Sequence, residues 1–200
     1  MANVLPTKSN LLATKRSLHL ADTGFTLMDK KRSILTREIM GLIDKAEELQ
    51  KQIDTVFADA YAALSSANIE LGNVRELAGA VPKDTGLSVR YRSVMGVEIP
   101  SIQSERPPLE LAYGFINTSS SLDSACISFN KVKELILNLA ETENTIYRLA
   151  YSIKKAQKRS NALKNVVIPD FEKTIKDISE SLEEKDREEF VRLKVLKNTE

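Results

Sequence analysis

A hydrophobic seam that holds a seven-residue repeat for five heptads dominates the C-terminal part of this 200-residue chain. It runs through Val132, Leu135, Leu139, Thr142, Ile146, Leu149, Ile153, Ala156, Ser160, Leu163 and Val167, and only Thr142 and Ser160 are polar. A stripe kept in phase for that long reads as a coiled-coil helix rather than an ordinary amphipathic one. Such a helix cannot bury its seam alone, so something else in the chain, or another chain, must cover it.

A second register supplies the cover. It starts at Leu11, shortly after the helix entry Pro6-Thr7, and passes through Leu18, Ala21, Phe25, Met28, Leu35, Ile39, Leu42, Leu49, Ile53, Ala60 and Ala67 to Leu77. Of its twenty positions seventeen are apolar, against 42% for the whole chain; the exceptions are Thr14, Arg32 and Glu70. Gly24, Gly41 and Gly72 are tolerable in so long an element at roughly 1 kcal/mol each, and Gly72 marks a fraying end.

Between the two registers the chemistry changes. Residues 79–114 hold four of the seven glycines and four of the six prolines, which stops both long helices at its borders. Inside it Leu87, Val89, Tyr91, Met95, Val97 and Ile99 alternate with Ser88, Arg90, Arg92 and Glu98, a strand signal, with Met95-Gly96 as turn or bulge. Pro100 and the pair Pro107-Pro108 are expected to close it.

The expected fold is therefore all-α: a helix over 8–78, a turn-rich insert over 79–121 with a short β-hairpin, and a helix over 122–197, forming one structural unit. At 1.5 Å per residue each helix is about 100 Å long, and the two can pair antiparallel as a coiled coil. Both termini then lie at one end of a rod and the insert at the distal end. A homodimer of straight helices would also cover the seams, but the turns of the insert favour the hairpin. Pro169 interrupts the last helix, and the seam changes phase there, through Val167, Phe171, Ile175, Ile178 and Leu182.

Few kinds of chemistry fit this composition. His19 is the only histidine, which leaves no zinc set of usual composition and no triad with a second imidazole. Cys126, the only cysteine, excludes an internal disulfide and suits a reducing compartment. No glycine opens a phosphate-cradling loop, and no apolar run reaches the ~20 residues of a membrane span. The net charge of +1 gives no bulk attraction for nucleic acid or lipid. The carboxylates of Glu183 to Glu189 read as a solvated face with internal ion pairs. The basic groups Lys30, Lys31, Arg32 and Lys154, Lys155, Lys158, Arg159 read as solvated faces or as contacts for a protein with acidic loops.

The opening PTKSNLLATKRSLHLADTGFTLMDKKRSIL resembles that of the D subunit of V/A-type rotary ATPases, through Pro6, Thr7, Leu12, Lys15-Arg16-Ser17-Leu18, Gly24, Leu27 and Lys31-Arg32. The central RYRSVMGVEIPSI resembles the Val-Met-Gly-Val segment of that family. The C-terminal part is similar through Asn161-Ala162-Leu163, Val166-Val167-Ile168-Pro169 and Glu188-Glu189-Phe190. Thr26, Ser160 and Asp170 depart from the pattern.

The resemblance implies a non-catalytic central stalk, a rotor shaft that couples ATP synthesis or hydrolysis to proton or sodium transport, and not itself an enzyme. Its implied partners are the ring of catalytic A and regulatory B subunits, the small F subunit of the stalk, and the socket subunit on the membrane rotor ring. No cofactor, metal, nucleotide or nucleic acid is expected on this chain. Its implied place is cytoplasmic, peripheral on the inner face of the membrane. Lys15, Arg16, Lys31, Arg32, Tyr91, Met95, Val97, Phe190 and Lys194 are the residues expected to face partners. The heptads alone would equally permit a free-standing scaffold or tether, which has no use for a strand-forming cap between matched helices.

Overall fold

The computed structural model describes residues 5–81, 86–104, 113–114 and 118–197; Pro107 and Pro108 lie outside them. Helix α1 spans Lys8–Leu71 and a short α2 spans Arg75–Ala80. Strands β1 (Leu87–Val94) and β2 (Val97–Ser104) form a two-stranded antiparallel hairpin. Helix α3 (Ser120–Ala162) leads through a π-helical turn, Leu163–Val167, into α4 (Ile168–Lys197). The chain divides into two compact units, Leu35–Ser152 and the residues on either side of it.

The heptad registers are the burial pattern. Of the twenty seam positions from Leu11 to Leu77 only Glu70 is exposed, and all eleven positions from Val132 to Val167 are buried or half-buried. Three of the polar exceptions have local partners. Thr14 Oγ1 donates to the Asn10 carbonyl at 2.8 Å, and Arg32 pairs with Asp29 at 2.9 Å. In α3, Thr142 Oγ1 donates to the Asn138 carbonyl at 2.8 Å. A buried hydroxyl bonded to its own helix avoids the penalty of an unsatisfied group.

In the unit Leu35–Ser152, α1 and α3 pack antiparallel. Tyr61 meets Phe129 edge-on at 5.7 Å between ring centroids, while Ala67 and Val74 pack with Leu122. α1 stops at Leu71, before residue 78, because Gly72 takes φ 75°, a left-handed C-terminal cap. In the other unit, formed by the start of α1 and the run from Ile153, pairing is again antiparallel. A Cβ added at Gly24 would sit 3.7 Å from Leu163, Lys164 Nζ lies 5.9 Å from the Phe25 ring centroid, and Lys8 lies 3.9 Å from Asp186.

The π turn gives the change of phase its backbone cause. Continued from Leu163 in strict heptads, the seam would fall on residues 170, 174, 177 and 181. The apolar residues fall one position later, at Phe171, Ile175, Ile178 and Leu182, all buried or half-buried, while residues 177 and 181 are exposed. A single π turn accommodates one extra residue, and the Ile168 N–H reaches back five residues to the Leu163 carbonyl. Pro169, which lacks an N–H and would press on the carbonyl four residues before it, sits where the wide turn hands over to α4.

Candidate partner surfaces on the hairpin and the helix ends

The hairpin turn is of the two-residue kind, Met95 with φ 51° and Gly96 with φ 74° between the closing pair Val94 and Val97. Both positive values define a type I′ turn, whose twist matches that of the strands. Because the turn has two residues, each odd-numbered residue of β1 faces an even-numbered one of β2, as in Val89 with Ile102 and Tyr91 with Pro100. The odd-numbered apolar residues of the two strands therefore do not share one face. Leu87, Val89 and Tyr91 lie on one face, and Val97 and Ile99 on the other.

Pro100 does not close the strand as expected; β2 continues to Ser104. Counting out from the bonded closing pair, residue 100 falls at a pair without ladder hydrogen bonds, so its missing N–H would have pointed away from β1. Groups on that same outer edge of β2 are taken up by α3. The Ile102 N–H donates to Glu141 Oε2 at 2.8 Å, and Arg148 Nη1 donates to the Glu98 carbonyl at 3.2 Å. The Arg148 guanidinium also lies 5.2 Å from the Tyr91 ring centroid. Sequence reading overlooked both clasps, although Glu141 and Arg148 are one heptad apart and precede core positions Thr142 and Leu149.

Near this hairpin in sequence, the end of α1, α2 and the start of α3 surround a cavity of about 480 Å³. Leu64, Val74, Leu77, Leu122 and Phe129 give it apolar walls. Tyr113 on its rim donates to Asp123 Oδ1 at 2.7 Å, with Cys126 Sγ 3.6 Å from the same hydroxyl. Burial first, then the bond to the Asp123 carboxylate, pushes the Tyr113 phenol above its ordinary value. At the neighbouring start of α3 the Ser121 hydroxyl, above all, holds the Glu70 carboxyl below the usual range. Glu70 is exposed, so this seam position tolerates a carboxylate. A thiol beside a phenol and a carboxylate, with no imidazole, is not an activated nucleophile of any usual kind.

The residues expected to face partners fall into separate groups. Tyr91, Met95 and Val97 belong to the hairpin, where Tyr91 and Met95 are exposed and Val97 half-buried. Lys15 and Arg16 are exposed on α1, whereas Lys31 and Arg32, farther along the same helix, are half-buried. Phe190 and Lys194 belong to the last fifteen residues of α4, Glu183–Lys197, every one of them exposed. His19 is exposed. Among the described residues no cluster of His, Cys, Asp and Glu could hold a metal ion, and no helix is long and apolar enough to cross a membrane.

The sequence profile of the ATP synthase D subunit matches residues 10–198. The chain belongs to the D-subunit family of V/A-type ATP synthases, the family of the central stalk. It is 44% identical to the V-type ATP synthase D subunit of Thermotoga neapolitana, across 98% of this chain and 97% of that one. It is 39% identical to the A-type ATP synthase D subunit of Pyrococcus furiosus, across 97% of this chain and 93% of the relative. The relative from Thermococcus sibiricus, also an A-type D subunit, is 37% identical over the same shares. In this D subunit the paired seam and two exposed apolar surfaces, one on α4 and one on the hairpin, are the main physical features.

Proposed function

We propose that this D subunit is a non-catalytic rotor shaft that couples ATP synthesis or hydrolysis in a nucleotide-binding ring to proton or sodium movement across the membrane. The observation that carries this reading is the end of α4. Phe190, Val191, Leu193, Val195 and Leu196 are 57–69% exposed on a helix whose preceding half is covered along its seam. So much apolar surface on one short stretch marks a contact site. The inner wall of a ring of catalytic A and regulatory B subunits is the cover it fits, with Lys15, Arg16 and Lys194 among the flanking charges.

The hairpin serves the stalk side, toward a small F subunit and the socket subunit of the membrane rotor. Met95 supports that assignment. It adopts a left-handed backbone conformation that Asn or Gly would take at lower cost, yet it keeps a large apolar side chain 46% exposed. The shaft acts by differential contact: turning within the ring, it favours different states of successive nucleotide sites and so couples their equilibria to rotation. Its place is peripheral, on the cytoplasmic face, with no nucleotide or cofactor of its own.

The test is reconstitution. The isolated D subunit should show no saturable ATP binding in calorimetry. Complexes lacking it should retain nucleotide binding by the ring and lose ATP-driven ion transport. Ion transport that persists without the D subunit would contradict the proposal.

A further inference from the structure

The two edges of the hairpin are treated differently. The outer edge of β2 is sealed, by Pro100 at a position that needs no donor, by Glu141 on the Ile102 N–H and by Arg148 on the Glu98 carbonyl. On β1 the matching outward positions are Leu87, Val89, Tyr91 and Ser93, the partners of Ser104, Ile102, Pro100 and Glu98 at pairs without ladder bonds. Their backbone groups meet no partner among the described residues, and nearly all of β1 is exposed. A row of unpaired N–H and C=O groups is a template for another strand, which proteins usually blunt. Here nothing on the described chain blunts it with a bulge, a proline or a covering helix.

The side chains specify what the added strand looks like. Leu87, Val89 and Tyr91 line one face of the open edge, at 45%, 54% and 59% exposure, and Arg90 and Arg92 line the other, exposed and without a carboxylate partner among the described residues. We infer that β1 accepts an extended segment of a neighbouring subunit as a third strand, with apolar residues on the Tyr91 side and carboxylates opposite Arg90 and Arg92. Main-chain bonds then give affinity, and the alternating side chains give selectivity. This rests on the shaft reading, since it needs the protein to sit in a multi-subunit complex.

Amide hydrogen exchange in the isolated protein and in the assembled complex reads the edge directly. The Leu87, Val89 and Tyr91 amides should slow by at least ~10-fold on assembly as they gain strand partners. Those of Ser88, Arg90 and Arg92 already bond to β2 and should be protected in both. Val89→Pro removes one outward donor and leaves the β1–β2 ladder intact, as native Pro100 does on β2. It should weaken retention in the complex by about 10-fold or more, whereas Val89→Thr, which keeps the N–H, should stay within about 3-fold. Persistent protection of Arg90 and Arg92 in Val89→Pro will show that the hairpin still folds.

Assembly with unchanged exchange at Val89 and Tyr91 would overturn the third strand and leave the shaft reading standing. Slowing that appears equally in the isolated protein at high concentration would mean that a second copy fills the edge, and would overturn the inference. Failure of the unaltered protein to enter any ATPase complex would overturn both.

Discussion

Helices α3 and α4 follow one another in the chain, yet they are stabilised in different ways. In α3 every heptad position from Val132 onward is covered, and Thr142, Thr145 and Ser160 are buried along with the hydrocarbon. α4 begins one residue out of phase, recovers its stripe as far as Leu182, and then runs fifteen residues that are all exposed. The contrast separates two demands on one amphipathic pattern. Where the apolar residues are covered in register they hold the fold, and where the helix runs on past Leu182 they stay exposed.

Register deletions should break the contrast most sharply. Removing Asn144 from α3 would rotate every later seam residue by about 100°, and cooperative unfolding by circular dichroism should be lost or fall far below that of the parent. Removing Asn165 from the π turn should instead restore strict heptads, placing Phe171, Ile175, Ile178 and Leu182 in phase with Leu163. A change within about 1 kcal/mol is expected, since a one-residue insertion is being reversed. Equal damage from both deletions would refute the assignment of the wide turn.

Side-chain truncation sharpens the same contrast at smaller amplitude. Leu149, 1% exposed, should cost roughly 2–5 kcal/mol as Leu149→Ala. Leu193→Ala on the exposed end should stay within about 0.5 kcal/mol in urea unfolding while weakening attachment to the complex. On the hairpin, Arg148→Ala should cost about 1 kcal/mol and speed exchange near Glu98. The smallest effect is spectroscopic. Tyr113 should form its phenolate above the ordinary range of a phenol in an alkaline titration, and Asp123→Asn should bring it down. With its folded value raised, the neutral phenol stabilises the fold at and below neutral pH. That contribution is lost only as the pH climbs through the raised value.

Much of this was legible in the residues. The seam positions needed only the seven-residue spacing, since burial of a helix face follows directly from its geometry. The turn at Met95-Gly96 was legible too, because alternating strands around a Gly signal a hairpin. The faces of that hairpin were not, since a two-residue turn reverses odd and even positions and a run of alternating residues cannot reveal it. Pro100 misled for a related reason: whether a proline ends a strand depends on which way its nitrogen points, and pairing decides that. The Glu141 and Arg148 clasps were hidden because charged residues beside a heptad seam look like any solvated flank.

The central claim is that the end of α4 turns against a surrounding ring. A complex carrying Lys194→Cys, with Cys126→Ser to remove the native thiol and a second cysteine on the ring lining, puts this to a direct test through ATP turnover before and after oxidation. The account predicts that disulfide formation stops multiple turnovers and that reduction restores them. A disulfide formed in high yield with turnover unchanged would contradict it.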